Sequence, residues 1–398
     1  MVASTDLRPT IEALVPQTVA MRRDLHQHAE LSYEEEYTQR VITERLRALG
    51  LEDVRAIAKT GVTALVRGAR PGPNLLWRAD IDGLPIEEAT GLPFASQNEG
   101  AMHACGHDGH VAIALGLAET LVRARESLAG TVRFAFQPAE ERIGGAKDMI
   151  DAGVLDEPDV DKVFGLHIMA HVPAGQIRVQ AGPIFAAGTH FRIIIRGRGG
   201  HASAPQDTVD PIVVAAHAIV ALQTVVSRSV DPASTAVLTI GRLEGGNRGN
   251  IIPNQVMMSG SVRTFDEAVR ERVLERMDGI LRGVCQAWGA EPQFDHSTLP
   301  AVVNDAECAA IVSRAAEGLI GRERIAEDRI TGSDDMAYFL EARPGAYFML
   351  GGGNAAKGIT HPHHHPQFDF DEDCLGLGIE LATRIVEEAT GSALVAGR

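Results

Sequence analysis

The chain has 398 residues, 45% of them hydrophobic, enough for two domains with cores of their own. Its 37 Lys and Arg stand against 53 Asp and Glu, a formal net charge of −16, which argues against nucleic acid or an anionic membrane as partner. Four well-separated cysteines (Cys105, Cys285, Cys308, Cys374), with no CxxC pair, suggest no disulfide framework and fit a reducing, cytoplasmic setting.

Residues 1–16 carry Asp6 and Glu12 and lack the apolar core of a signal peptide. Residues 11–49 read as one or two helices, interrupted at 25–30 and stopped by Gly50. His26 and His28, in the interruption, read as surface or supporting residues rather than metal ligands. A strand is expected at 62–67, and Pro71-Gly72-Pro73 reads as a turn. Then a pattern repeats. A short strand at 74–78 runs towards Asp80 and Asp82, one at 131–136 into Gln137-Pro138-Ala139-Glu140-Glu141, and one at 162–166 into His167. Helical stretches separate them, so the expected sheet is mostly parallel, with ligands bound beyond the carboxyl ends of its strands. Asp, Glu and His then reach one rim.

The stretch Met102-His103-Ala104-Cys105-Gly106-His107-Asp108-Gly109-His110 packs one thiol, three imidazoles and a carboxylate into nine residues. A helix follows, with Val111, Leu115, Ala118 and Val122 along one face. Thiolate and imidazole are donors for zinc and other late transition metals. A buried cysteine beside solvated histidines is the plain alternative.

After Gly182 the texture changes. A strand at 191–196 leads into the flexible Gly197-Arg198-Gly199-Gly200-His201-Ala202-Ser203-Ala204-Pro205. The apolar stretch 212–226 reads as a mostly buried helix, too short to span a bilayer. Strands at 236–242 and 256–264, a helix at 267–288 and a short strand at 292–295 follow. This β-α-β-β-α-β order suits a four-stranded sheet with two helices on one face. It places an inserted domain at 186–297, between parts 1–185 and 298–398 of a catalytic domain. The last part brings a helix at 308–319, a strand at 346–350, Gly351-Gly352-Gly353, and the loop Thr360-His361-Pro362-His363-His364-His365-Pro366. One histidine of that loop is expected to supply a ligand.

Cys105, His107, Glu140 or Glu141, His167 and one loop histidine exceed what a single tetrahedral zinc needs. They suit two metals sharing a water, an arrangement that hydrolyses peptide and ester bonds. Neighbouring residues seldom point the same way, so one of Glu140 and Glu141 ligates and the other serves as base. A carboxylate-rich helix start is the plainer reading of that pair.

Cys105-Gly106-His107-Asp108-Gly109-His110, Gln137-Pro138-Ala139-Glu140-Glu141, Gly165-Leu166-His167, Gly200-His201-Ala202-Ser203-Ala204-Pro205 and His364-His365-Pro366 also stand in a family's order. The chain resembles the metal-dependent amidohydrolases of the aminoacylase/carboxypeptidase family, in the branch of hippurate hydrolases and plant auxin-conjugate hydrolases, over nearly its whole length. The resemblance implies a zinc-peptidase-like α/β catalytic domain interrupted by an α+β lid that often dimerises, hence a homodimer or dimer-based oligomer. It implies two divalent metal ions per subunit, zinc first, with manganese, nickel and cobalt as alternatives. Cys105, His107, Glu141, His167 and His364 match the ligands, and Glu140 the general base. An Asp that orients a metal-binding histidine corresponds to Asp82 or to Asp80.

His201 matches a lid histidine that stabilises the oxyanion, in some relatives within the partner's site. Asn250 and Arg263 match positions that hold the substrate's carboxylate or carbonyl, and an arginine fork suits a carboxylate. A strand-edge salt bridge is the plain alternative for Arg263. The expected substrate is a small N-acyl amino acid, hippurate-like, N-acetyl or otherwise acylated. A dipeptidase or carboxypeptidase is the alternative. A metal-binding protein without catalysis is disfavoured by Glu140, because a storage site needs no base. Phe185, Val111 and Asp334 stand where the family often has Met, Thr and Glu; because of Phe185 and Asp334 no finer substrate preference carries over.

Overall fold

The computed structural model describes residues 7–395; the leaderless reading of residues 1–16 falls partly on residues 1–6, which lie outside them. Two compact units form. One comprises the chain through Ile184, Val303–Asp328 and the chain from Asp335 on; the other comprises Phe185–Val302 and Arg329–Asp334.

The first unit opens with α1 (Arg8–Gln27), α2 (Glu36–Ala48), β1 (Glu52–Ile57), β2 (Gly61–Arg67) and β3 (Arg70–Asp80). It continues with α3 (His107–Arg123), β4 (Ala129–Gln137), α4 (Gly145–Asp151), β5 (Lys162–Pro173) and β6 (Ile177–Arg178). Through β7 (Gly182–Phe185) the chain passes into the second unit, which holds β8 (Ala187–Arg196), β9 (Gly200–His201), α5 (Pro211–Ser229) and β10 (Ala236–Gly245). There follow β11 (Ile251–Ile252), β12 (Gln255–Thr264), α6 (Glu267–Trp288) and β13 (Glu291–Leu299). After β14 (Val302–Asn304) come α7 (Ala306–Ile320), β15 (Ile325–Ala326), α8 (Met336–Ala342), β16 (Gly345–Gly353) and α9 (Asp373–Thr390).

Eight strands of the first unit make one sheet in the order β1-β2-β4-β3-β5-β16-β6-β15. The central β4, β3, β5 and β16 are parallel. Antiparallel β1 and β2 lie on one flank, and β6 runs antiparallel to β16 on the other. The sheet is therefore mostly parallel, as its apolar strands lead one to expect: β4 is buried along its whole length, the pattern of a strand covered on both faces. Helix α3 packs against α1 and α9. Residues 107–121 of α3 are buried all round rather than along one stripe. Glycine permits this: a Cβ at Gly109 would lie 2.6 Å from Ile168 Cδ1, and one at Gly116 would lie 2.4 Å from Ile379 Cδ1.

Two local readings need correction here. Pro71-Gly72-Pro73 is part of β3, not a turn; the β3–β4 register slips between Arg70 and Asn74, so no ladder bond is asked of the proline nitrogens. β5 does not end at His167. It runs to Pro173 because β16 keeps pairing with it through Gly351 and Gly353, which makes the triple glycine strand as well.

The second unit is an antiparallel sheet in the order β10-β12-β8-β13. Phe191, Ile193 and Ile195, alternate residues of β8, share a core with Val214, Ala218, Leu222 and Val225 of α5 and with Val273, Met277 and Leu281 of α6. Asp210 and Asp266 start the two helices by accepting the amides of Ile212 and Val269. Helix α5 departs from expectation. At 19 residues it is long and apolar enough to cross a membrane, yet most of its residues are not buried. One stripe faces the core, while Val220 is 72% exposed and Ile212 and Val213 are exposed too.

Candidate metal centre

Cys105 precedes α3, and Gly106 between it and His107 takes a left-handed conformation (φ 86°), which a side chain would strain. After β4 the chain turns through Ala139, also left-handed (φ 51°), into a single 3-10 turn, Glu140–Arg142. The Glu140-Glu141 pair therefore starts no α-helix. His167 lies within β5, and His364 sits at φ 64° in the last loop, its amide donating to Ala104 O at 2.9 Å.

These segments bring the expected ligands together. Donor atoms of Cys105, His107 and His167 all lie within 4.8 Å of one another, and so do those of Cys105, Glu141 and His364. His107, Glu140 and Glu141 form a third such group. Cys105 Sγ is 3.5 Å from His167 Nε2, and His364 Nε2 is 3.4 Å from Glu141 Oε1. Cys105, His107, Glu140 and His167 are buried, whereas the His364 side chain is 54% exposed.

Supporting bonds orient the rings. His107 Nδ1 donates to Asp82 O at 2.9 Å, and His167 Nδ1 to Ile168 O at 2.8 Å, which leaves each Nε2 with a lone pair. Asp82 does more. Its carboxylate lies 3.3 Å from His107 Nδ1 and accepts Ser32 Oγ at 2.6 Å, Glu140 N at 3.1 Å and Glu141 N at 3.2 Å. Asp80 instead serves His110, whose Nδ1 it accepts at 2.5 Å; His110 Nε2 in turn accepts Ile168 N at 2.8 Å. Asp80, His107 and His110 could also group around a cation, but both His110 nitrogens are already engaged.

Two buried atoms at the centre have no hydrogen-bond partner: His107 Nε2 and Glu141 Oε1. Burial opposes a charge on His107, yet Asp80, Asp82 and Glu141 push its pKa up to about 10. Burial and the nearby His110 and His363 hold His167 well below its ordinary value, hence neutral. Burial would raise the Asp80 carboxyl, but Arg78, His107 and His110 keep it well below the usual range. A place that favours positive charge, lined by a thiol, a neutral imidazole and a carboxylate oxygen without a hydrogen bond, fits a metal ion.

His201, Asn250 and Arg263 lie in the second unit. His201, on β9, is exposed, and its Nδ1 accepts Ser203 N at 3.1 Å, which places the proton of the neutral ring on Nε2. Asn250 O accepts Ala202 N at 3.2 Å, next to His201. The salt-bridge alternative for Arg263 fails. β12 is an inner strand, and Arg263 Nη1 bonds the Ser333 hydroxyl, with no carboxylate partner among the described residues. Gly188 lies opposite, where a Cβ would come 2.7 Å from Arg263 Nη1.

The sequence singles out no role for His110 or Ser32; His363, one of the loop histidines offered as a ligand, donates from Nε2 to Ile168 O at 2.9 Å instead. For His110 a signal existed, since it stands three residues after His107 on one helix face. His26 is not a surface residue: it is fully buried, its Nδ1 2.9 Å from Asp108 Oδ2. His28 stacks on Tyr37 at 4.0 Å between ring centroids.

The centre has counterparts. Residues 76–388 match the model of peptidase family M20/M25/M40. The chain is 41% identical to N-acetylcysteine deacetylase of Bacillus subtilis, covering 94% of this chain and 98% of that one. It is 38% identical to thermostable carboxypeptidase 1 of Saccharolobus solfataricus, covering 94% and 95%. The solved structure of Bacillus subtilis YXEP, described as a dinuclear metal-binding peptidase of family M20, superposes with a TM-score of 0.82 at 37% identity, covering 94% of this chain and 98% of that one. With a family match over most of its length and relatives this close, the chain belongs to peptidase family M20/M25/M40.

Proposed function

We propose that this chain is a metal-dependent amidohydrolase that cleaves the amide bond of N-acyl amino acids. One observation carries the reading: Cys105 belongs to two donor groups at once, beside His107 Nε2 and Glu141 Oε1, two buried atoms that make no hydrogen bond. Cys105, His107, Glu141, His167 and His364 would hold two divalent ions, zinc first, because thiolate, imidazole and carboxylate form a zinc donor set. When bound, such ions would polarise the amide carbonyl and lower the pKa of the attacking water. Glu140 takes the proton of that water and returns it to the leaving nitrogen. Asp82 fixes Glu140 for this task through the Glu140 and Glu141 amides.

In the second unit we assign the His201 Nε2 proton to the developing oxyanion, and Asn250 and Arg263 to the substrate's carboxylate. The lack of a carboxylate partner for Arg263 among the described residues supports that last role. Dimerisation through this unit is supported by its surface. Of the exposed large hydrophobic side chains among the described residues, Ile212, Val213, Val220, Val237, Leu243, Ile251 and Trp288 lie here, and Val303 alone lies in the first unit. A cytoplasmic setting is supported by four cysteines that are free thiols.

The test is a chelator-stripped protein reloaded with zinc, manganese, cobalt or nickel. It is assayed on N-acetyl, N-benzoyl and indole-acyl amino acids, with dipeptides as controls. Metal-dependent release of the amino acid is expected; full activity in verified metal-free protein would refute the proposal. A carboxypeptidase on the same site is the second reading, favoured by the carboxypeptidase relative. Faster cleavage of N-blocked dipeptides than of acyl amino acids would select it.

A further inference from the structure

We infer that Arg22 is a positioning residue for metal binding, tying the loop that bears Cys105 and His107 to the loop that bears His364. The inference rests on the metal-centre reading above. Arg22 lies on α1, far from every ligand in sequence, and its side chain is completely buried. Its guanidinium reaches three carboxylates on two segments. Nε donates to Asp108 Oδ2 at 2.8 Å, Nη2 to Asp369 Oδ1 at 2.8 Å and Nη1 to Glu372 Oε1 at 3.1 Å. Asp108 directly follows His107, and Asp369 comes five residues after His364. The guanidinium also lies 4.3 Å from the Phe370 ring centroid and 4.8 Å from that of Phe94.

The geometry is specific to arginine. Three acceptors in three directions around one planar cation match a guanidinium fork, which a lysine's single nitrogen cannot reproduce. Without the cation, buried Asp108 would face Asp369 and Glu372 with like charge. Arg23 also holds Glu372, at 2.6 Å, and His26 also holds Asp108, at 2.9 Å, so the Asp369 arm depends on Arg22 most. The donor group of Cys105, Glu141 and His364 draws on both tied loops, whereas that of Cys105, His107 and His167 does not use the last one. Loss of the tie therefore weakens the first group selectively.

The experiment titrates metal-free protein with Co²⁺ against a competing chelator, following the thiolate-to-cobalt absorption band. Arg22→Lys keeps the charge and removes the fork. Arg133→Lys is the control: Arg133 is another buried arginine of the same unit, bonded to Asp53, Thr63 and the Glu157 carbonyl and remote from the ligands. Wild type should take up two equivalents. In Arg22→Lys, with unchanged circular dichroism, one equivalent should lose about 10–100-fold in affinity while the other is kept, the usual scale for a group that orients ligands. Arg133→Lys should keep both equivalents.

Equal affinities in Arg22→Lys and wild type, or an equal loss in Arg133→Lys, would overturn the inference. If Arg22→Lys does not fold, Asp369→Asn removes one arm at a partly exposed carboxylate and should weaken the same equivalent; unchanged binding there also overturns it. Wild type that binds no Co²⁺ would sink the metal-centre reading itself, which separates that failure from this one.

Discussion

Asp82→Asn probes the best-connected side chain of the centre. Asp82 is 1% exposed, and its two oxygens receive Ser32 Oγ, Glu140 N and Glu141 N while facing His107 Nδ1. An asparagine retains one oxygen. If it takes the place of Oδ2, Ser32 and Glu141 keep an acceptor, and the new amide group meets the Glu140 amide, donor against donor. One orphaned buried N–H costs about 1–3 kcal/mol, and loss of charge from the two remaining bonds about 1 kcal/mol each. The first unit should therefore lose about 3–5 kcal/mol.

The effect can be read in urea, since the two tryptophans report separate units: Trp77 is buried in β3, Trp288 sits at the end of α6. In a Trp288→Phe background, Trp77 fluorescence follows the first unit alone. Because Glu140 hangs from the same carboxylate, kcat should fall about 10²-fold, the scale of a displacement near 1 Å. A stability change below about 0.5 kcal/mol, as for an ordinary surface substitution, would refute the reasoning.

Glu140→Gln should keep its metal and lose at least about 10²-fold in kcat, as expected for removal of a general base; metal loss in this variant but not in Glu141→Gln would reverse the two roles. His201→Ala should cut kcat with metal content intact, and mixed dimers with Glu140→Gln chains should regain activity if His201 acts across subunits; a fully active His201→Ala removes it from the mechanism. His26 carries a pH signature. Burial opposes its charge, but hydrogen bonds to Asp108 and Glu88 raise its pKa above the ordinary 6.5. Its stabilising contribution is thus present below pH 6.5 and lost as pH rises through the raised folded value. His26→Gln should flatten the fall in Tm of metal-free protein above that pH, and identical slopes would count against the charged pair.

Much of this was legible in the residues because ligands and glycines cluster locally. The stretch around Cys105 announces a metal loop, and the alternation of β8 and the bounds of α6 follow from hydrophobic period and capping. What escaped depends on distant partners. Nothing near Arg22 in sequence reveals that Asp108, Asp369 and Glu372 meet it. Asp80 and Asp82 look alike in sequence, and only the positions of His110 and of the Glu140 turn tell their contacts apart. Helix α5 misled because an apolar run reads as buried, while its outer face carries Ile212, Val213 and Val220 in the open. Of the two roles open to His26, surface or supporting, the supporting one holds: the polar ring beside a helix end is buried because Asp108 and Glu88 satisfy it.

The central claim is a pair of metal ions sharing Cys105. The direct measurement is metal content per chain together with X-ray absorption at the zinc edge of the zinc-loaded protein. The account predicts two ions per chain and a sulfur shell at about 2.3 Å that disappears in Cys105→Ser. One ion or none in fully loaded protein, or a shell of nitrogen and oxygen alone, would contradict it.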